Sequence, residues 1–335
     1  MRIAIIAIEG SLLSAVAGLA DMFWITNQTA LSSPRHVATQ PNTRFETIIT
    51  TADGNPVNDA QGRKIQPDCA FAQAGNPDYV LMTGMALGHD RLPLNEDAIR
   101  HAADWVRQQY EQGAYVGGAC AGSLVLGEAG LLDGRACTTT WWLYHTLRQR
   151  YPKAKAVWGK SLEEQDRILT SGGPLSWAAL ALHIVKRVAG PELAKLTADM
   201  AVADSQPLSQ QLYAPPGFIS TQHPLLLRAE EIIRYRHPAI TAEQLAAQLN
   251  TTPRTLQRKI TALTGESPKA FITRVRIESA CVLLASPVCH IRKVAAACGY
   301  TEDSAFRKAF LHVMGMTPTH YRRWISDRNA ASGSS

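Results

Sequence analysis

With 335 residues, the chain is long enough for two domains that each bury a core. Its net charge of +6 is unevenly spread: from Pro224 onward 16 Lys and Arg face 8 Asp and Glu, a net of +8, leaving −2 for the residues before. No apolar run reaches the roughly 18 residues of a membrane helix, no signal-peptide pattern follows Met1, and Cys69, Cys120, Cys137, Cys281, Cys289 and Cys298 form no CxxC pair. These features predict a cytoplasmic protein with reduced thiols, no metal, no cofactor and no membrane partner.

In the first part, apolar runs alternate with segments of helical period, the pattern of an α/β domain around a mostly parallel sheet. Arg2 to Ile8 reads as a strand, Ala15 to Asn27 as a helix, and Phe45 to Thr51 and Tyr79 to Thr83 as further strands. Between Asn95 and Gln112, Ile99, Ala103, Val106 and Tyr110 recur at helical spacing, and Gly113 follows as a left-handed cap. Ala114 to Ala119 is a buried-strand candidate that runs into Cys120-Ala-Gly-Ser and an apolar helix from about Leu124 to Ala129.

A cysteine between a strand and a helix, followed by small residues, has the form of a nucleophile elbow. Gly122 permits the close turn, which would expose the sulfur, and the following helix N-terminus favours its thiolate. The segment GACAGSLVLGEAGLLDGRACTTTWW resembles the class I glutamine amidotransferase-like superfamily, in the intracellular-protease-like branch fused to DNA-binding domains. ILTSGGPLSWAALALHIVKRVAG, from Ile168 to Gly190, resembles the strand and long helix that follow in that branch. The resemblance implies a flavodoxin-like α/β sandwich.

Amidotransferase-like hydrolases pair the cysteine with a histidine base. In related regulators a histidine often precedes the tryptophan after the elbow helix, whereas this chain has Thr138-Thr139-Thr140-Trp141, and threonine cannot be that base. His145 falls in an expected helix, and Glu9 is the only acidic residue beside the first strand's end. No catalytic residue is therefore assigned. Three readings of Cys120 stay open: a small residue kept for elbow geometry, a ligand contact, or a thiol sensor. In the second, Cys120, Ala121 and Thr140 leave room in the old cleft for an effector, and Trp141, Trp142 and Trp177 wall it.

In the second part, Thr241-Ala-Glu-Gln244 fits a capping box, and a short helix follows to Leu249. Asn250 to Thr252 is a turn, and Pro253 suits the first position of a second helix, the helix-turn-helix order. Leu256, Ile260 and Leu263 then face the core, leaving Arg254, Thr255, Gln257 and Arg258 outward to read base edges in a major groove. From Ser267 and Pro268 a spacer helix is expected, with Phe271, Val275, Val282 and Leu283 inward. The arrangement then recurs: a helix over Ile291 to Ala297, a turn at Gly299, Thr301 as cap, and a helix with Phe306, Ala309, Phe310 and Val313 as its apolar stripe. On it Ser304, Arg307 and Lys308 are exposed to position phosphates. Gly315 and Pro318 close the unit before a basic and aromatic turn, Tyr321 to Trp324.

TPRTLQRKITALTGESPKAFITRVRIESACVLL and IRKVAAACGYTEDSAFRKAFLHVMGMTPTHYRR together resemble the AraC-type DNA-binding domain, an all-α double helix-turn-helix fold. The resemblance implies double-stranded DNA as partner, with two recognition helices in successive major grooves about 34 Å apart. Joined, the two resemblances describe the GlxA-like group of AraC-family regulators, and imply a sequence-specific transcriptional regulator under a small-molecule effector, an amino acid or amine, acting with RNA polymerase as a homodimer. The alternatives are a cysteine-dependent amidase or protease, or a thiol-based redox sensor. The expected boundaries are a sensor domain over 1–205, a linker over 206–223, where Pro207, Pro215, Pro216 and Gly217 interrupt helical period, a DNA-binding domain over 224–326, and a disordered tail over 327–335.

Overall fold

The apolar runs of the first part pair into one seven-stranded sheet in the computed structural model, which describes residues 1–32, 44–204, 207–286 and 289–332. In chain order the elements are β1 (Arg2–Ile6), α1 (Leu13–Ser32), β2 (Glu46–Thr51), β3 (Val57–Asn58), β4 (Lys64–Ile65), β5 (Cys69–Ala70) and β6 (Tyr79–Met82). Then follow α2 (Glu96–Glu111), β7 (Tyr115–Ala119), α3 (Gly122–Glu128), β8 (Ala136–Cys137), α4 (Tyr144–Arg150), β9 (Lys155–Ala156), β10 (Leu162–Gln165), β11 (Ile168–Ser171) and α5 (Trp177–Met200).

The sheet order is β10-β11-β7-β6-β1-β2-β5, parallel throughout except for the β10–β11 hairpin. In β1, Ile5 is in register with Ile49 of β2 and Leu81 of β6, so β1 is covered on both edges and reads as an unbroken apolar run. Ile3, Ile5, Leu19, Phe23, Leu81, Leu180 and Ile184 form a core between the sheet and the packed pair α1 and α5, while α2 and α3 pack against β6 and β7. Because the chain leaves β1 first toward β2 and later toward β6, the strand order reverses there. The crevice at the carboxyl ends of these strands is where an open α/β sheet binds ligands.

Helix ends follow the local chemistry. Asn95 caps α2 by accepting from the Ala98 amide at 2.9 Å, and Gly113 at φ +109 takes the left-handed position after it. The long helix of the resemblance does not stop at Gly190: that glycine is non-helical at φ +84, ψ 166, and Pro191 restarts the helix to Met200.

The chain divides into two compact units, Met1–Gln210 and Gln211–Ser335. The segment expected to be a linker over 206–223 is not free chain. Gln210 is buried in the first unit, and Ser220, also buried, hydrogen-bonds to Glu230 in the second. Where it is described, this proline-rich stretch forms two short 3-10 turns, Gln210–Leu212 and Phe218–Gln222, and is packed.

The second unit holds α6 (Pro224–Glu231), continued by a π turn over Ile232–Arg236, then α7 (Ala242–Gln248), α8 (Pro253–Thr264), α9 (Pro268–Leu284), α10 (Ile291–Ala297), α11 (Asp303–Met314) and α12 (Pro318–Ser332). Two cores flank α9. One joins Leu226, Leu245, Leu256 and Ile260 to Phe271 and Val275; the other contains Phe306, Phe310 and Tyr321 stacked edge to face, with Val294 buried nearby.

Serving two cores changes which face of α9 is buried. Val282 and Leu283, expected inward, are 59% and 37% exposed, and Ile277, Ala280, Cys281 and Leu284 are buried instead. At about 100° per residue, Val282 lies only some 20° from Phe271 around the axis, but Ala280 lies about 180° away. The first half of α9 turns to one core and the second half to the opposite side, so no single stripe runs its length. The tail differs from expectation too: Tyr321 is buried, and the turn beyond Pro318 is a helix that extends to Ser332, with 333–335 outside the described residues.

A buried ionic cluster ties these helices together. Arg274, 2% exposed, pairs with Glu266 at 3.1 Å and Glu278 at 2.7 Å, and Arg234 bonds Glu230 at 2.9 Å and Glu278. Burial alone would raise the Glu278 carboxyl, but Arg274 and Arg234 outweigh it and hold the group below its ordinary value. Glu266 stays above its ordinary value because its burial dominates the pull of Arg274.

Candidate nucleic-acid interface and ligand cleft

The first helix-turn-helix is built from its caps. The Thr241 hydroxyl accepts from the Gln244 amide at 3.3 Å, and the Gln244 side chain accepts from the Thr241 amide at 2.9 Å, the reciprocal pair that starts α7. Asn250 turns the chain at φ +52, and Thr252 caps α8 by accepting from the Thr255 amide at 3.2 Å, with Pro253 in the first turn. Leu256 and Ile260 are fully buried and Leu263 half-buried, which fixes the rotation of α8. Arg254, Gln257 and Arg258 are consequently exposed. Thr255 is half-buried and its hydroxyl is engaged with that of Thr252 at 3.0 Å, so it supports the cap.

The second unit repeats the order. Gly299 at φ +79 makes the turn between α10 and α11, and a Cβ there would overlap the Pro238 carbonyl ahead of the first helix-turn-helix. The N-cap of α11 is Glu302, not the expected Thr301, and it makes no side-chain cap bond; Ser304 Oγ instead donates to Glu302 Oε2 at 3.4 Å. Phe306, Phe310 and Met314 are buried, and Ser304, Arg307 and Lys308 are exposed. Arg307 is not open, however: its Nε donates to Asp303 Oδ2 at 2.6 Å.

In the first unit the elbow is present. Cys120 has φ +56 directly after β7, and its amide donates to Ser171 O at 2.8 Å. The turn leaves no room for side chains: a Cβ at Gly118 would lie 2.7 Å from Gly122 backbone atoms, and one at Gly122 would lie 2.7 Å from Met82 O. Ser123 Oγ and Thr139 Oγ1 both donate to Cys120 O, at 2.8 and 3.0 Å.

The expected exposed thiolate is not what this geometry gives. Cys120 is 3% exposed, and burial pushes its thiol up to about 11 against a weaker lowering by the Ala121 amide. Leu12 and Cys120 both close on the space beside Gly84. Glu9 points elsewhere: its carboxylate accepts from the Asn58 side chain at 2.9 Å and the Asn58 amide at 3.0 Å. His145 lies on α4, edge-on to Tyr144.

The expected effector residues are divided. Ala121 and Thr140 are buried, and Trp141 and Trp142 are half-buried at the start of the turn before α4, where Arg91 Nη1 donates to Trp142 O at 2.6 Å. Trp177 packs against α1 instead, its ring filling the space a Cβ at Gly18 would need. Sequence reading missed Gln210, a buried amide that hydrogen-bonds the Thr139–Trp141 segment; a glutamine in a proline-rich stretch carries no local signal of burial.

Among the described residues no cluster of His, Cys, Asp and Glu could hold a metal ion, and no helix is long and apolar enough to cross a membrane. Residues 245–323 match the helix-turn-helix domain family, and residues 25–187 match the DJ-1/PfpI family. The HTH-type transcriptional regulator CdhR of Pseudomonas aeruginosa is 27% identical over 82% of this chain and 80% of its own length. GbdR, another HTH-type transcriptional regulator of Pseudomonas aeruginosa, is 24% identical over 91% of this chain and 83% of its own. The isonitrile hydratase of Pseudomonas putida is 34% identical, but over 42% of this chain and 58% of its own.

Proposed function

We propose that the chain, whose matches join a DJ-1/PfpI domain to a helix-turn-helix domain, is a GlxA-like AraC-type regulator that controls transcription by binding double-stranded DNA at specific sites under control of a small molecule held in its first unit. The observation that carries this is the pair of helix-turn-helix units on one spacer helix, each turning a polar face outward while its apolar stripe is buried. Arg254, Gln257 and Arg258 read base edges, Thr255 supports their helix, and Ser304, Arg307 and Lys308 mostly set the second unit on phosphates, leaving it a smaller share of the base reading. Cys120, Ala121, Thr140 and Trp141 border the effector, an amino acid or amine. The regulator acts in the cytoplasm as a homodimer that contacts RNA polymerase.

The first unit is a degenerate amidase-like domain. Burial raises the Cys120 thiol to about 11, and Thr140 stands where related regulators often carry a histidine; both argue against a nucleophilic role for Cys120. The test is chromosome-wide DNA occupancy of the natural chain beside an Arg254→Ala/Arg258→Ala/Arg307→Ala variant. Discrete sites that vanish in the variant are expected. An absence of discrete sites, with amide hydrolysis that disappears in Cys120→Ser, would replace this reading with an enzymatic one.

A further inference from the structure

The side chain of Gln210 sits in a site built for a primary carboxamide. Its Nε2 donates to Thr139 O at 2.8 Å and Lys160 O at 2.6 Å, and its Oε1 accepts from the Trp141 amide at 2.8 Å. Two carbonyl acceptors and one amide donor match the two N–H groups and one carbonyl of a carboxamide. A carboxylate would face two carbonyl oxygens there, and an ammonium would offer the Trp141 amide no acceptor; either mismatch is costly because Gln210 is only 6% exposed. Gly172, directly after β11, is part of the site: a Cβ there would overlap Nε2 of Gln210.

The backbone around Gln210 is fastened too. Its amide donates to Gly159 O at 2.9 Å, and Ser161 Oγ donates to Leu208 O, so the segment 208–210 lies as a strap along 159–161. Three residues on, in the second unit, Tyr213 stands edge-on to Trp324 with ring centroids 5.9 Å apart. One end of the strap therefore bonds Thr139 and Trp141 beside the elbow cysteine, and its other end continues covalently into the DNA-binding unit.

We propose that Gln210 is a built-in ligand of this carboxamide site, and that displacing it, by an effector that moves the Thr139–Trp141 segment or by a ligand carrying a primary carboxamide, releases the strap and so signals to the DNA-binding unit. The proposal rests on the effector-controlled reading above. Gln210 is a positioning residue: it acts through the segment it joins.

The test uses the full chain, with Gln210→Ala to vacate the site, Gly172→Ala to eject the side chain while leaving it in the chain, and propionamide as the probe. Chymotrypsin cleavage after Tyr213 reports release of the strap. Both variants are expected to be cut about tenfold faster than the natural chain, since three buried hydrogen bonds no longer oppose local opening. Propionamide should raise the melting temperature of Gln210→Ala more than that of the natural chain, yet leave its cleavage fast, because a free amide fills the site without refastening the chain. A residue that merely stabilises the fold would have both defects reversed together. Natural cleavage rates in both variants, or no selective effect of propionamide on the vacated site, would overturn the proposal. Affinity for duplexes selected by the natural chain separates this outcome from failure of the regulatory reading: if no duplex is selected the regulator reading fails, whereas selected duplexes bound by strap-intact and strap-released chains with equal affinity sink the strap alone.

Discussion

The Arg307 guanidinium is held by the Asp303 carboxylate one helical turn before it, with Nε to Oδ2 at 2.6 Å, whereas among the described residues no ion pair or hydrogen bond holds the guanidinium of Arg254 or Arg258 on the other recognition helix. The two helices thus expose arginines in different states, one engaged by a carboxylate and two not. Arg254→Ala and Arg258→Ala should each weaken binding by about 1–3 kcal/mol and relax the sequence preference of one half-site. Arg307→Ala should cost less, because that arginine must first leave a carboxylate, and Asp303→Asn should tighten binding at low salt. Titration of each variant on one labelled duplex decides it; a larger loss for Arg307→Ala than for Arg254→Ala would reverse the assignment.

The elbow makes a stability prediction. Gly122 packs against the Met82 carbonyl so closely that an added methyl meets backbone, which cannot swing aside. Gly122→Ala should destabilise the first unit by at least about 1–3 kcal/mol, the cost of overpacking. Gly130→Ala is the control for removing a glycine: φ is +71 there but nothing lies within 4 Å of its Cβ, so only backbone strain of about 1–2 kcal/mol is expected. Denaturant melts of the two variants should rank them in that order.

These contrasts show what sequence reading reaches. The cap at Thr241, the inward Leu256 and Ile260, and the turn at Gly299 were legible because each is set by neighbours within a few residues. The cysteine elbow was legible for the same reason. Its protonation was not, since burial of the sulfur depends on Leu12 and Gly84, which are far away in sequence. Likewise the reversal of the buried face along α9 follows from there being two cores, and the placing of Trp177 against Gly18 follows from how α1 meets α5. Gln210 is bonded to residues about fifty to seventy positions earlier, beyond any periodic signal.

The burial of Cys120 fixes the pH at which it reacts. Its ionisation lies near 11, above the ordinary 9.0 of a thiol, so the thiolate is the minor form at neutral pH. Alkylation of Cys120 by iodoacetamide should therefore be slow at pH 7 and climb about tenfold per pH unit up to roughly pH 11, where it levels off in the intact fold. A plateau near pH 7, followed by mass spectrometry of the Cys120 peptide, would instead mark a thiolate and restore the thiol-sensor reading.

Arg274 pairs with Glu266 and Glu278 and lies 3.6 Å from Glu230, and removing it leaves Glu266 and Glu278 buried without their shared partner. Arg274→Ala should cost about 3–5 kcal/mol of that unit's stability, as breaking one side of a buried pair does. Acid should act in the same direction through Glu278. Its folded value is depressed, so the stability it contributes is present above the ordinary carboxylate range and is lost as pH falls through the folded value. In the arginine variant that share of the acid sensitivity should shrink in urea melts run between pH 7 and 3, because only Arg234 is left to hold Glu278 down.

Two helix-turn-helix units on one spacer should read DNA together. Selection of duplexes from a randomised pool by the purified full chain tests it most directly. The expected result is an enriched motif of two short elements with centres about one helical turn, roughly 10–10.5 base pairs, apart, and loss of only one of them in Arg254→Ala/Arg258→Ala. A pool that stays random, or a motif whose two elements both survive that double substitution, would contradict it.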